Sequence, residues 1–468
     1  MIPFDKLTIK QMQFFDLGDK RLNARAEKSL EILMNNDPMQ GFPRIFNDQY
    51  ELKGFYRLMN NKKVTPEKIA AGYQQGLLNL LSESAPKSSD PAKVYYQYQD
   101  TTYGSYLHRK ETLDLGYVEN LTDNGVVVHT GILTDQTFTP LGISYQKQIL
   151  RDRSKYQKAH ARKKRPFQEK ESYKWVEAMQ WSVTLQQEFN VRIVHVADRE
   201  GDMTDLFNYA FDHDLHFIVR SRHDRIIKPD EAIGQHQQKF WDYLKSQTPK
   251  AQIARKLIDS SGKIYTAKCA IFWETIQPKS TVKPIQVVYL RQLEKLGNGT
   301  PAQWAFYTNL PVDELEQAVE ILDVYTHRWR TCEDFHKCLK SGCQIEKRQF
   351  ESAHAMTNCI AMLSLTAIHL LRMRHLATLD DQAVEQVLDE LECQLAHHLA
   401  AKYLKPIDLT ICQPGTVLWL TLLIGRMGGH QGFKQKGLPG WKTLWLGWSD
   451  FKKLMDGIIL SKNIFKPT

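Results

Sequence analysis

Asp100 and Asp198 each close a run of apolar and aromatic residues that reads as a buried strand, and the acidic residues Glu333 and Asp334 fall within a long helical pattern further on. Two carboxylates at neighbouring strand ends and a third on a later helix are the oxygen donors that a pair of Mg²⁺ ions takes from protein, because hard cations keep several waters and need few protein ligands. Ions about 4 Å apart activate an attacking water and stabilise the leaving oxygen of an in-line displacement at phosphorus. The plain alternative is that each carboxylate caps an element or faces solvent, as most aspartates do. Spacing alone does not choose between them.

The elements that would position these residues are legible as periods. Residues 94–99 alternate into Asp100, residues 126–133 and 141–146 form a hairpin, and residues 191–197 and 215–219 are apolar strands ending at Asp198 and Arg220. Helical patterns precede and follow Asp198, the first through Trp175, Met179, Trp181 and Leu185. Strands alternating with helices predict an α/β sheet, which places its ligands at carboxyl strand ends. Residues 225–308 return to strand-like alternation and are read as an all-β insertion, 264–273, 285–293 and 304–308 being its strands. A long helix over about 312–340 follows, then apolar helices to the end, where Trp441, Trp445 and Trp448 form a stripe read as core or subunit interface.

Residues 1–75 read as helices, with Asp19 as a cap, Leu22, Ala26, Leu30 and Leu33 on one face and Arg21, Arg25 and Lys28 on another. Around Arg57 basic and aromatic residues again interleave. This pattern fits a small DNA-binding domain and equally a solvated basic face. The densest basic segment, residues 151–175, holds ten Lys/Arg and is expected to be a loop or a helix start, binding phosphates or simply solvated.

At 468 residues the chain is too long for one ordinary core. With 42% apolar and 25% charged residues it reads as folded, and its 62 basic against 53 acidic residues leave a net +9 that attracts polyanions without proving that any binds. Seven cysteines, an odd number spread over half the chain, argue against a disulfide framework. No basic-then-apolar leader begins the sequence, and residues 417–424, read as its longest C-terminal apolar stretch, fall short of a bilayer span. A soluble, cytoplasmic, nucleoid-associated protein with no membrane partner is expected.

Four words carry more weight than the spacing. Gln-Asp-Thr-Thr (99–102), Val-Ala-Asp-Arg-Glu-Gly-Asp (196–202), Ile-Val-Arg-Ser-Arg-His (218–223) and Tyr-Thr-His-Arg-Trp-Arg running on to Glu-Asp-Phe-His-Lys-Cys-Leu-Lys (325–340) closely resemble the bacterial DDE transposases with a Tyr-Arg-Glu-Lys signature. The resemblance extends to Leu-Gly-Asp-Lys-Arg-Leu-Asn-Ala-Arg (17–25), Gly-Phe-Tyr-Arg-Leu-Met-Asn-Asn (54–61) and the ending Gly-Arg-Met-Gly-Gly through Gly-Trp-Lys-Thr-Leu-Trp-Leu-Gly-Trp. It implies a ribonuclease-H-like catalytic core (76–224 and 309–350) interrupted by the β insertion (225–308), a helical DNA-binding domain (1–75, with Arg21, Arg25 and Arg57 as contacts) and a helical C-terminal dimerisation domain (351–468).

By the same resemblance Asp100, Asp198 and Glu333 would hold two Mg²⁺ ions, with Mn²⁺ as a substitute, and Tyr325, Arg328, Lys337 and Lys340 would hold the phosphate backbone. Trp304 would stack on a base flipped out of the duplex, with Arg220 and Arg222 beside it. The implied activity is cut-and-paste transposition by a homodimer on inverted-repeat transposon ends and target DNA: nicking, hairpin formation, hairpin opening and strand transfer. Two other functions fit the same residues, a DNA-binding relative that no longer cuts and a metal-dependent structure-specific nuclease.

One departure from the family pattern stands out. The family has three residues between its arginine and glutamate; here Cys332 occupies the glutamate's place and Glu333 comes one position late, although Glu333 to Lys340 keeps the family spacing. In an undistorted α-helix Arg328 and Glu333 lie roughly 140° apart. One extra residue in a helix is absorbed as a π-bulge, often at a functional site, so a bulge is expected between Arg328 and Glu333, with Asp334 the alternative ligand. Cys332, His336, Cys338 and Cys343 raise zinc as a further possibility, opposed by the lack of any Cys-x-x-Cys pair.

Overall fold

A computed structural model describes residues 13–46, 48–84, 92–107, 111–156, 164–228, 237–258, 264–294, 301–379, 382–432 and 438–464 of the chain. The start of the sequence, and Lys158, Arg162 and Lys163 of the basic run, lie outside the described residues. The chain forms two compact units, one of Met1–Ser84, Thr101–Ala159 and Thr331–Thr468, the other of Ala85–Asp100 and His160–Arg330. The strands are β1 (Lys93–Ser105), β2 (Gly116–Tyr117), β3 (Asn124–Thr134), β4 (Pro140–Ile149), β5 (Val191–Ala197), β6 (His216–Arg220), β7 (Ile226–Ile227), β8 (Gln238–Lys239), β9 (Ala251–Ile258), β10 (Ile264–Ile276), β11 (Ile285–Gln292) and β12 (Gln303–Thr308).

In the second unit residues 93–98 of β1 pair in parallel with β5, and β5 pairs in parallel with β6. β12 joins β6 antiparallel, and β11, β10 and β9 follow in antiparallel order. β5 is buried at every residue except Arg192. A parallel strand covered on both faces is largely apolar, as residues 191–197 are apart from exposed Arg192 and buried His195. Helix Lys174–Glu188 supplies Trp175, Val176 and Met179 to the same core as Phe207, Phe217, Tyr289 and Tyr307. Phe207 and Phe217 stack with ring centroids 4.9 Å apart.

The reading of residues 225–308 as strands without a helix is corrected at one place: Phe240–Ser246 is helical. It buries Phe240, Tyr243 and Leu244, at i, i+3 and i+4, and seven residues are too few for that period to stand out in the sequence. The described residues of the basic run include both short turns and the helix start that was one of its two expected forms. Short 3₁₀ turns at Arg153–Lys155, Phe167–Glu169 and Glu171–Tyr173 precede the helix that starts at Lys174.

The first unit packs helices Pro66–Ser84 and Ala353–Leu376 on β4, which is paired with β3. Helix Lys20–Asn35 begins as expected at Asp19, whose side chain accepts from the Arg21 N–H, and helix Gln49–Met59 begins at Asp48 in the same way. Helix Ala353–Leu376 is 24 residues long and is apolar enough to cross a membrane by length and composition, with 94% of its most apolar window buried inside the protein. It exceeds the stretch at 417–424 that the sequence reading took as the longest, because isolated Thr, Asn and Ser break its run without breaking its burial. A helix apolar on all sides is what the centre of a helical core requires. Trp441, Trp445 and Trp448 are buried in that core. A Cβ on Gly447 would stand 1.7 Å from the Ile424 carbonyl oxygen, so helices Val417–Met427 and Trp441–Ile464 cross backbone to backbone.

Phe217 fills the centre of the second unit, and the Phe217→Ala cavity is expected to cost about 3–5 kcal/mol of unfolding free energy. Urea denaturation followed by the fluorescence of that unit's tryptophans measures it.

Candidate active site

The ladder of the second unit fixes a row of charged residues. Tyr98 of β1 is in register with Val196 of β5, so two residues further on Asp100 falls opposite Asp198. Ala197 is in register with Val219 of β6, so Asp198 falls opposite Arg220, which itself pairs with Phe306 of β12. In-register residues of neighbouring strands share a face and stand about 4.8 Å apart at the backbone. Carboxylate, carboxylate and guanidinium therefore stand in one line, although Asp100 does not close its strand as expected, because β1 runs on to Ser105.

Helix Leu315–Arg328 covers this row. The Tyr98 hydroxyl donates to the Val324 carbonyl at 3.0 Å. Arg328, at the end of the helix, is buried and places its Nη1 2.5 Å from Oδ2 of Asp100. The Arg328 guanidinium lies 5.5 Å from the centroid of Tyr325, whose ring packs on Phe306 at 4.5 Å. Tyr325 also hydrogen-bonds Arg220, which partly offsets the burial that lowers the basicity of that guanidinium.

Burial pushes the Asp198 carboxyl above the usual range, and the negative charge of Asp100 pushes it further; the Glu200 N–H, Arg328 and Arg220 work against both. Glu200 is raised by burial too, countered by Lys174. The Lys174 ammonium is itself buried, 3.4 Å from Glu171 and 3.9 Å from Glu200. Two mutually repelling carboxylates in a half-buried site are stabilised by a cation. Among the described residues no group of three or more His, Cys, Asp or Glu side chains is gathered to hold a metal. Mg²⁺ fits a two-carboxylate site, since it binds through one or two carboxylates plus substrate phosphates and keeps its remaining waters.

The word after Asp198 has its own geometry. Asp198 accepts from the Glu200 N–H at 2.8 Å and starts the 3₁₀ turn Arg199–Gly201. A Cβ on Gly201 would stand 2.6 Å from that of Ala197, so the turn closes only with glycine. Beside it a cavity of about 200 Å³ is lined by Arg199, Arg220, Arg222, Trp241 and Trp304, which brings the expected Trp304, Arg220 and Arg222 together. Arg199 and Trp241 are additions that sequence reasoning missed. Arg199 follows Asp198 directly and was legible as its neighbour; Trp241 sits on the overlooked helix Phe240–Ser246.

The expected bulge is present: Trp329–Glu333 is a π-helical segment, followed by α-helix Asp334–Lys337 and a second π segment, Cys338–Gly342. Bonding from i to i+5 gives residues five apart the relation that an α-helix gives residues four apart. In the first unit Glu333 is half-buried, exposed Lys337 pairs with Asp334 at 3.2 Å, and Lys340 pairs with Glu346 at 3.1 Å. The zinc possibility finds no support. Among the described residues, which include Cys332, His336, Cys338 and Cys343, no group of three or more His, Cys, Asp or Glu is gathered to hold a metal.

Arg21 and Arg57 are exposed on helices Lys20–Asn35 and Gln49–Met59, while Arg25 is half-buried and, with Lys28, is paired to Glu51. Residues 6–64, which contain both helices, match the family described as transposase DNA-binding. DNA is therefore a partner of this protein, and a role in transposition is the class of function that the match supports.

An acid whose pKa is raised on folding binds its proton more tightly in the folded state. Its ionisation destabilises the fold as pH rises through the folded value, and the effect vanishes below the unfolded one. Asp198→Asn is accordingly expected to raise the melting temperature of the metal-free protein at neutral pH, with an advantage over the parent that shrinks as pH falls toward the ordinary carboxylate range. Calorimetric scans of both proteins between pH 4 and pH 8 in EDTA, with ionic strength held constant, check the sign.

Proposed function

We propose that the protein is a DDE-type DNA transposase that excises and inserts its element by metal-dependent phosphoryl transfer. The observation that carries this reading is the pair Asp100 and Asp198, repelling one another just past the last parallel pair of β1 and β5, in a chain whose residues 6–64 match a transposase DNA-binding family. Asp100 and Asp198, with Glu333 as the third carboxylate, would hold two Mg²⁺ ions, which would supply activation of the attacking oxygen and charge stabilisation of the leaving one.

The residues around the pair have separate tasks. Arg328 neutralises Asp100 while no cation is bound and, with Tyr325, Lys337 and Lys340, turns to backbone phosphates when DNA enters. Trp304 stacks on a base displaced from the duplex, flanked by Arg220 and Arg222. Arg21, Arg25 and Arg57 hold the inverted repeat, and the C-terminal helices join two copies. Nicking, hairpin closure, hairpin opening and strand transfer are all in-line displacements at phosphorus, so one site serves each step once the DNA is repositioned, and the protein forms no covalent intermediate.

A second reading, a DNA-binding relative that does not cut, is favoured by the Arg328–Asp100 ion pair, which already satisfies one expected ligand. Incubation with Mg²⁺ and a DNA fragment carrying the inverted repeats that flank the gene separates the two. Hairpin-ended product, lost by a factor on the order of 10³ or more in Asp198→Ala, supports the first, because a metal contributes several kcal/mol of charge stabilisation. Binding without cleavage supports the second. Cleavage indifferent to the end sequence indicates a nuclease of another kind. Arg57→Ala is expected to weaken binding to all duplexes alike and to reduce the salt slope of log K by about 1, as loss of one phosphate contact does, which fluorescence anisotropy across a salt series reads.

A further inference from the structure

The second aspartate of the word Asp198-Arg199-Glu200-Gly201-Asp202 lies outside every role given so far, yet it is among the most buried charges of the protein. Its side chain is wholly inaccessible. Oδ2 accepts from the backbone N–H groups of both Arg222 and His223, each at 2.7 Å. Oδ1 accepts from the Arg225 guanidinium through Nε at 3.1 Å and through Nη2. Arg225 is fixed in turn by the hydroxyls of Thr204 at 2.9 Å and Ser280 at 3.2 Å, and its guanidinium lies 5.2 Å from the Phe207 ring centroid. From the other side, the Ser221 N–H donates to the Ala305 carbonyl at 2.8 Å.

The turn after β6 is thus held at three consecutive amides, one by β12 and two by a single carboxylate. That turn carries Arg222, and the strand residue before it is Arg220, both in the wall of the cavity with Trp304 and Trp241. The carboxylate also begins four residues beyond Asp198, so one short turn ties the carboxylate row to the cavity wall.

We propose that Asp202 is a positioning residue for this cavity. It touches no substrate; it locks the 221–223 backbone so that Arg220 and Arg222 stand preset beside Trp304 to receive an unpaired nucleobase with its flanking phosphate. The ligand class rests on the transposase reading above; the clamp rests on the geometry alone. Charge-assisted bonds to backbone amides order a turn more firmly than neutral ones, and a cavity preset in its bound shape does not spend binding energy on ordering itself.

The experiment has two arms. Hydrogen–deuterium exchange on the DNA-free protein tests the clamp: in Asp202→Ala the Arg222 and His223 amides are expected to exchange at least about tenfold faster, with β5 and β6 unchanged, because the bonds lost are charge-assisted. Asp202→Asn keeps an oxygen acceptor and is expected to fall between. In the second arm, duplexes with and without one bulged 2-aminopurine are bound to each variant. The parent is expected to prefer the bulged duplex and to quench its fluorescence through Trp304, and Asp202→Ala to lower that preference about tenfold with binding of the paired duplex retained.

Because removing the carboxylate strands the Arg225 charge, the double variant Asp202→Asn with Arg225→Gln is measured alongside, and should retain the fold while still losing the preference. Unchanged exchange at Arg222 and His223 overturns the clamp. Faster exchange with an unaltered bulged-to-paired ratio, or an equal loss on both duplexes, overturns the positioning role. A parent that shows no preference for the bulged duplex, in a protein whose amides respond as expected, overturns the nucleobase reading and leaves the clamp standing.

Discussion

The register of three parallel strands is the constraint on which the site depends. Side chains alternate with a period of two, so a slip of one residue between β1 and β5 would turn Asp100 to the face opposite Asp198, and a slip between β5 and β6 would do the same to Arg220. Apolar side chains alone specify such a register weakly, because most positions of these strands are apolar on both faces. A polar pair inside the sheet specifies it sharply. Gln97 and His195 are in register, completely buried, and joined between Oε1 and Nδ1 at 2.6 Å, while Gln97 Nε2 donates to the Ala178 carbonyl at 3.0 Å. Burial lowers the imidazole to about 3, so it is neutral and the bond is that of one tautomer. Any other register would break this bond inside an apolar layer, where an unmade hydrogen bond is costly.

The row that results is electrostatically unfinished in a useful way. Asp100 is paired directly with Arg328, whereas Asp198 is countered only by the more distant Arg328 and Arg220 and by one N–H. Ligand demand follows from that imbalance more than from the number of carboxylates, since a carboxylate paired directly with a guanidinium has less attraction left for a proton or a cation. The neighbouring cavity has the opposite sign, with three arginines around two tryptophans. A cation-seeking pair and an anion-seeking, aromatic cavity meet at the turn Arg199–Gly201, which suits a ligand that carries phosphates and bases together.

What could be read from the chain was read through periodicity and words. Asp198 just beyond a strand end, Asp19 as a cap and the buried tryptophan stripe each follow from local spacing, and local spacing is what a sequence preserves; the π turn was expected from the resemblance, and Asp100 was placed at a strand end although β1 runs on to Ser105. The missed features depend on distance along the chain. Arg328 meets Asp100 across more than two hundred residues, Asp202 holds amides some twenty residues away, and Trp241 reaches the cavity from a helix too short to show a period. The edge strand β9 was overlooked because its outward Gln252, Ala254 and Lys256 give it little apolar contrast, as an edge strand that avoids aggregation requires.

The π turn at Trp329–Glu333 is set by what holds its two flanks. Arg328 is anchored within its own unit by Asp100 and Tyr325, and Lys340 within its own by Glu346. With both flanks held, an extra residue has two outcomes: rotation of everything beyond it by about 100°, or a local widening that leaves both flanks where they were. Rotation would carry Cys332, Phe335, Cys338 and Leu339, all buried, out of their core positions, and the loss of that many apolar contacts far exceeds the small penalty of one widened turn. The widening is therefore enforced by packing on the apolar face. A residue added to a helix changes the chemistry of a site only where the buried face is free to turn with it, and here it is not.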